Sequence, residues 1–325
     1  MKAPIIIGSN SLRMLVDGKH GKKRFRQETK LFTKLDKNGN ISRENILQLA
    51  EYINIFIDKA MTLGAELFFL AATSAVRDAK NQAEIISIIE KLCGLPLNIL
   101  TGEQEALLSF IGATDCNRNC GVIDIGGGST EIAVNDSKVI DNAYSKPIEY
   151  KTENPKEHKT EKINLDSANL NSLNYKSLSF QIGAARLYNS VQINSKKDIE
   201  SALTEASKAL ENMNFNADTW YFVGGTATIL AQIIKKEEPS LTLLDTKITY
   251  KQAEEVLSLL ADTPANKRNL IKGVPKGREN ILPTGIAILL SIMKKYGITS
   301  VCATERSNLD GALKAQHIHF VRRKL

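Results

Sequence analysis

Two kinds of hydrophobic pattern alternate along this chain. Short apolar runs closed by small polar residues predict strands over residues 4–7, 12–17, 66–71, 97–100, 122–124, 131–134, 138–144, 220–223 and 299–303. Stretches with apolar residues every three to four positions predict helices over 42–63, 81–94, 102–111, 198–211, 249–261, 281–296 and 309–316, with another following 228. In the first of these, Ile46, Leu49, Ala50, Ile53 and Ile57 share one face, and Gly64 is a natural stop. Asn81 with Glu84, and Thr249 with Gln252, read as capping pairs. Strands alternating with helices argue for α/β layers. The periodicity fails between 147 and 177, a stretch rich in Lys, Asn, Glu and Ser that reads as a mobile polar insertion.

The candidate chemistry gathers at the turns. Gly126, Gly127, Gly128, Ser129 and Thr130 lie between two short strands, with Asp124 and Glu131 on either side. Glycine admits positive φ and lets amides approach a ligand with no Cβ in the way. A nest of N–H groups in such a turn binds phosphate. Carboxylates beside a phosphate call for a bridging cation, and Mg²⁺ is the usual one. The same strand–turn–strand unit recurs at 4–17, with Gly8, Ser9, Asn10 and Ser11 at its tip. The recurrence predicts a duplicated unit, each copy holding one side of a cleft. Two more turns follow strands where α/β sheets bind ligands: Thr73, Ser74 and Arg77, and then Gly224, Gly225 and Thr226 at the start of a helix.

A chain of 325 residues suffices for two modest domains. No apolar run approaches the roughly 20 residues that span a bilayer. The first apolar run ends at Gly8, too short for a secretory signal, so a cytoplasmic location away from membranes is expected. The net charge of +7 is concentrated in two runs, Lys19–Arg26 and Val321–Leu325. Each reads either as a solvated basic segment or as attraction toward polyanions. No nucleic-acid-reading module is visible, which favours a phosphate-rich substrate over sequence-specific nucleic acid. Cys93, Cys116, Cys120 and Cys302 do not have the spacing of a zinc site and read as reduced thiols.

The blocks Gly8–Ser11, Ala72–Asn81, Gly102–Ala106, Asp124–Glu131, Gly183–Leu187, Val223–Thr228 and Arg278–Gly285 stand in one order along nearly the whole chain. In that order the chain resembles the exopolyphosphatase/guanosine pentaphosphate phosphatase family. The resemblance implies an α/β fold of two RNase H-like (actin-like ATPase) domains facing across a central cleft. The first domain would cover 1–118, with 300–325 returning to it, and the second 119–299. It implies hydrolysis of the terminal phosphate of inorganic polyphosphate or the 5′-γ-phosphate of guanosine pentaphosphate, with Mg²⁺. Glu105 would be the catalytic base, as the glutamate before alanine in Gly102–Ala106. A carboxylate at a cleft-facing helix start can both place a water and take its proton. Asp124 and Glu131 would act at the metal, and Gly126–Thr130 at the transferring phosphoryl. Arg77 would be the first candidate for a substrate clamp, followed by Arg13, Arg186 and Arg278. A homodimer that extends the basic cleft would suit a long polymer.

One position departs from the family pattern. Ile6 stands two residues before the first turn, where the family has an aspartate near the metal. An isoleucine holds neither Mg²⁺ nor its waters. This opens a second reading, in which the chain binds or senses polyphosphate or guanosine tetraphosphate with weak or no turnover. An actin-like sugar or acetate kinase would share the fold but not the Arg77 and Glu105 blocks.

Overall fold

The computed structural model of the chain describes residues 1–18, 21–115, 117, 119–135, 175–210, 215–240, 245–315 and 318–324. The strand expected at 138–144 and most of the polar insertion lie outside them, as does Cys116. The insertion's expected end at 177 is three residues too late. Tyr175, Lys176 and Ser177 already belong to a strand.

The first sheet begins with β1 (Lys2–Ile7), β2 (Ser11–Gly18) and β3 (Gly21–Glu28), an antiparallel meander. Then come α1 (Arg43–Thr62), β4 (Leu67–Ala72), the single turn α2 (Ser74–Arg77), α3 (Gln82–Cys93) and β5 (Leu97–Ile99). β4 and β5 extend the sheet in parallel, in the order β3-β2-β1-β4-β5. α4 (Gly102–Thr114) leads to the second meander: β6 (Cys120–Ile125), β7 (Thr130–Asn135) and β8 (Tyr175–Phe180). α5 (Ala184–Ser190), α6 (Lys196–Ala209), β9 (Thr219–Val223), α7 (Gly225–Lys235), β10 (Thr246–Thr249), α8 (Tyr250–Asp262), α9 (Leu282–Lys295), β11 (Ser300–Ala303) and α10 (Asn308–Lys314) complete the chain. The second sheet runs β10-β11-β9-β6-β7-β8. Apart from its edge strand β10 it repeats the order of the first, which is the duplication expected from the two turns.

Alternation along the strands decides what each face carries. Ile5 and Ile7 pack with Ile46, Ile53 and Ile57 of α1, whereas Ile6 faces Leu108 of α4 and Leu309 of α10. In the second sheet Ile123 and Ile132 join the core made with α6, α7, α8 and α9. Val122 and Ala133 face Ala106 and Phe110 of α4. α4 is therefore clasped between the two sheets, and apart from Glu103 it is buried all round, as such a helix must be. Glycine makes its crossing with α10 possible: a Cβ on Gly311 would fall on the Leu108 carbonyl, and one on Gly112 on that of Ser307.

Three local expectations change. Asn81 starts α3 but does not cap it, because its side chain bonds both ways to the backbone of Ile41, at 3.0 and 2.8 Å. From Gly21 onward the basic run forms β3, and there Arg24 and Arg26 turn inward, against the reading as a solvated segment. Ser300–Ala303 belongs to the second sheet, so the chain returns to the first only from α10 onward, where Val321 bridges to Phe68. Among the described residues no helix is long and apolar enough to cross a membrane.

Candidate active site

The two glycine turns meet at the cleft. In the first, the Gly8 amide donates to Ser11 O (3.0 Å), and the Ser9 and Asn10 carbonyls accept amides from Phe32, Thr29 and Lys30. In the second, the Gly126 amide donates to Ser129 O (3.0 Å), and the Gly126 and Gly127 carbonyls accept from the start of α5. A Cβ on Gly127 would stand 2.9 Å from Ser9 Cβ, so the turns need glycine to approach each other. The cleft between them is about 250 Å³. Gly8, Ser9, Asn10, Ser11, Gly126, Gly127, Ser129, Gly224, Gly225 and Thr226 all line it, as expected from their positions in the sequence. Gly224 has φ +95°, and a Cβ there would stand 3.0 Å from Asp124 Oδ1, so only glycine serves beside that carboxylate.

α4 presents Glu105. Its amino terminus is fixed by a capping box, in which Thr101 and Gln104 exchange hydrogen bonds of 3.2 and 2.8 Å. The following residue then faces the cleft. One turn on, Ser109 Oγ donates to Asp124 Oδ2 at 2.5 Å. Glu105 and Asp124 line the cleft and are 5% and 4% exposed. Burial pushes the Glu105 carboxyl up to about 7, with Arg77 opposing and Asp124 adding to the rise. Burial also raises Asp124, against the pull of Arg13 and the Ser109 hydrogen bond. A carboxyl near neutrality is suited to exchanging a proton with water.

The structure reassigns several expected site residues. Arg77 does not line the cleft: its Nη1 donates to Leu100 O (2.8 Å) and lies 3.5 Å from Glu105 Oε2. It holds Glu105 from behind. Thr130 is fully buried and donates to Ile182 O (2.6 Å), because strand alternation turns it into the sheet and away from the turn. Gly128 is covered by Ser9, Ser74 and Phe32. Arg186 lies over the Phe32 ring, donates to Gly128 O (2.7 Å) and pairs with Asp78 (2.6 Å), so it braces the second turn. Glu131 stands opposite Asp124 in the ladder but outside the cleft lining; its carboxylate accepts hydrogen bonds from Ser179, at Oε1 (2.9 Å), and from Ser129. Burial, then Glu105 and Asp124, hold it well above the ordinary carboxylate range.

Arg13 and Arg278 line the cleft as expected, together with Arg24 and Arg26, which the sequence reading did not single out. The available signal was the alternation of Lys22, Arg24 and Arg26 in an extended run, which puts one basic edge on one face. Arg24 is bound to Asp310 (2.9 Å), and Arg26 and Arg278 to Glu28. Among the described residues Arg13 is the cleft arginine with no ion pair, and it lies close enough to Glu105 and Asp124 to stabilise their charges.

The donors suit a magnesium ion shared with a phosphate. Asp124 reaches the cleft with one oxygen held by Ser109 and the other turned toward Gly224. Among the described residues no group of three His, Cys, Asp or Glu side chains is arranged to hold a metal alone. Mg²⁺ is commonly held by one or two carboxylates with substrate oxygens and waters. Asp124 fits that role, whereas Glu131 lies behind it.

The Ppx/GppA phosphatase family profile matches residues 18–152, which include Arg77, Glu105, Asp124 and Glu131. A guanosine-5′-triphosphate,3′-diphosphate pyrophosphatase of Vibrio cholerae is 24% identical over 312 residues, covering 92% of this chain and 56% of that one. Exopolyphosphatase 1 of Mycobacterium tuberculosis is 32% identical over 152 residues, covering 44% of each. The chain spans about half the length of the curated relatives it matches. A solved Aquifex aeolicus PPX-GPPA enzyme superposes with a TM-score of 0.71 at 20% identity, covering 96% of this chain and 98% of that one. That likeness, with the doubled sheet order, establishes the expected actin-like ATPase fold.

Proposed function

Taking as premise that the chain carries a Ppx/GppA phosphatase family domain, we propose that its cleft hydrolyses a terminal phosphoanhydride of inorganic polyphosphate or guanosine pentaphosphate. The observation that carries this reading is the convergence of two glycine turns, Arg13 and a Glu105 carboxyl pushed up to about 7 on one cleft. The turns offer amides and the Ser9, Ser11 and Ser129 hydroxyls to a phosphoryl group from both sides. Arg13 balances its charge. Phosphoryl transfer is mainly positioning and charge stabilisation, so this arrangement supplies most of what the step needs.

Glu105 accepts a proton from the attacking water, and Arg77 favours its ionised form and aims it. Mg²⁺, held by Asp124 through its free oxygen, would supply further neutralisation of the phosphate charge. Ser109 orients Asp124 for that role. The second reading, a binder with little turnover, draws support from Ile6, which is fully buried among Leu15, Leu108 and Leu309 and contributes no oxygen.

Phosphate release from long-chain polyphosphate and from guanosine pentaphosphate, with and without Mg²⁺, decides between them. The hydrolase reading expects Mg²⁺-dependent release that Glu105→Gln abolishes, and the faster substrate identifies the preference. Binding of either substrate without release would overturn it in favour of the binder.

A further inference from the structure

Glu28 ends β3 beside the first glycine turn, opposite Ser11 in the ladder. It does not line the cleft, but the three described residues that hydrogen-bond its carboxylate do. Asn10 Nδ2 donates to Oε2 at 2.5 Å, while Arg26 and Arg278 both donate to Oε1, Arg278 through Nε at 3.2 Å. The three come from different places. Asn10 is the tip of the first turn, Arg26 lies on β3, and Arg278 stands ahead of α9, among the helices of the second sheet. Arg278 also lies against α7, where a Cβ on Gly225 would be 3.3 Å from the guanidinium.

Two guanidinium groups brought to one point repel unless an anion stands between them. Arg26 also faces Arg13 directly across the β2–β3 ladder, where like charges are destabilising. The Glu28 carboxylate resolves both conflicts from behind, leaving the cation faces toward the cleft. We infer that Glu28 is a positioning residue that gathers the cleft's cations from its two sides into one anion-binding surface. The inference rests on the reading of the cleft as a phosphate site.

Tripolyphosphate binding by calorimetry, in a Glu105→Gln background with EDTA present, tests this without turnover. Four chains form a cycle: the Glu105→Gln parent, and the same chain with Glu28→Gln, Arg278→Gln or both. Glu28→Gln is expected to weaken binding about tenfold, the lower end of what a hydrogen bond to a charged group contributes. The double variant should bind only about threefold worse than the weaker single one, because coupled residues are non-additive. In the Glu105 chain, Glu28→Gln should raise KM about tenfold while kcat changes less than about threefold, since it alters binding and not the reacting groups. If Glu28→Gln does not fold, Glu28→Asp takes its place in the cycle, with an expected loss of about threefold that disappears in the Arg278→Gln background.

Unchanged or tighter binding by the Glu28 variant overturns the inference while leaving the phosphate site standing. Additive effects of the two substitutions overturn it as well. If the parent chain binds tripolyphosphate neither with EDTA nor with Mg²⁺, the phosphate site is refuted and the inference falls with it.

Discussion

Replacing Arg77 by methionine separates two roles for this arginine that the sequence alone cannot distinguish. Its Nη1 stands 3.5 Å from Glu105 Oε2, and its guanidinium does not line the cleft. At an effective dielectric of about 20, two unit charges at that separation attract by about 5 kcal/mol, which is a ceiling. Carboxylates beside an arginine are commonly lowered by about 1–3 pH units, and that range is the expected displacement when the charge is removed. Glu105 in the intact chain is pushed up to about 7 by burial despite Arg77, so without Arg77 it rises further. With Glu105 in its proposed role as base the ionised form does the work, so activity in the intact chain is expected to rise with pH through about 7. In Arg77→Met the rise moves upward by about 1–3 pH units, and the rate at neutral pH falls between about fivefold and several hundredfold. The assay is the pH dependence of kcat/KM for phosphate release, with the thermal midpoint checked in parallel. A loss of the same size at every pH, with raised KM, would refute the positioning role and return Arg77 to the substrate.

Other expectations follow from the same geometry. Glu131 has a raised carboxyl in the folded state, so the folded chain holds its proton where the unfolded chain has released it. Stability from this group is full below its ordinary value of 4.5 and is lost as pH rises above it. Glu131→Gln mimics the protonated form, so its thermal midpoint should exceed that of the parent by at least about 2 °C at alkaline pH, with no gain at acidic pH; an equal difference at both would contradict this. Gly311→Ala, which drives a methyl into the Leu108 carbonyl, should cost about 2–4 kcal/mol in denaturant unfolding by forcing α10 off α4. A chain of unchanged stability would mean that the helices separate freely. Ser109→Ala removes the hydrogen bond that orients Asp124 and should weaken Mg²⁺ dependence of the rate by about tenfold, read from the metal concentration at half activation. An unchanged half-activation concentration would exclude Ser109 from orienting a metal-holding Asp124.

Much of the fold was legible because its signals are local. The glycine turns, the strand alternation and the Thr249–Gln252 capping box each depend on a few neighbouring residues, and each appears where expected. Even the duplication could be read, since its mark is the repeated strand–turn–strand unit. The failures share a different cause. Asn81 carries the right residues for a cap, but Ile41 competes for its side chain. Arg77 and Thr130 carry the right chemistry for a phosphate, but their direction is set by Leu100, Glu105 and Ile182, which are distant or on another strand. Arg26 ends a basic run that reads equally as solvated charge or as attraction toward polyanions, and Glu28 lies just beyond it. The partner that ties Glu28 into the cleft wall is Arg278, 250 residues further along the chain.

Solvent oxygen tracing tests the central claim most directly, that Glu105 activates water against a terminal phosphoryl group. A single turnover on tripolyphosphate in ¹⁸O-water should place one label in the released phosphate and none in the residual pyrophosphate. Glu105→Gln should abolish that release while tripolyphosphate still binds. Undiminished release by Glu105→Gln, or label in the pyrophosphate, would contradict the account.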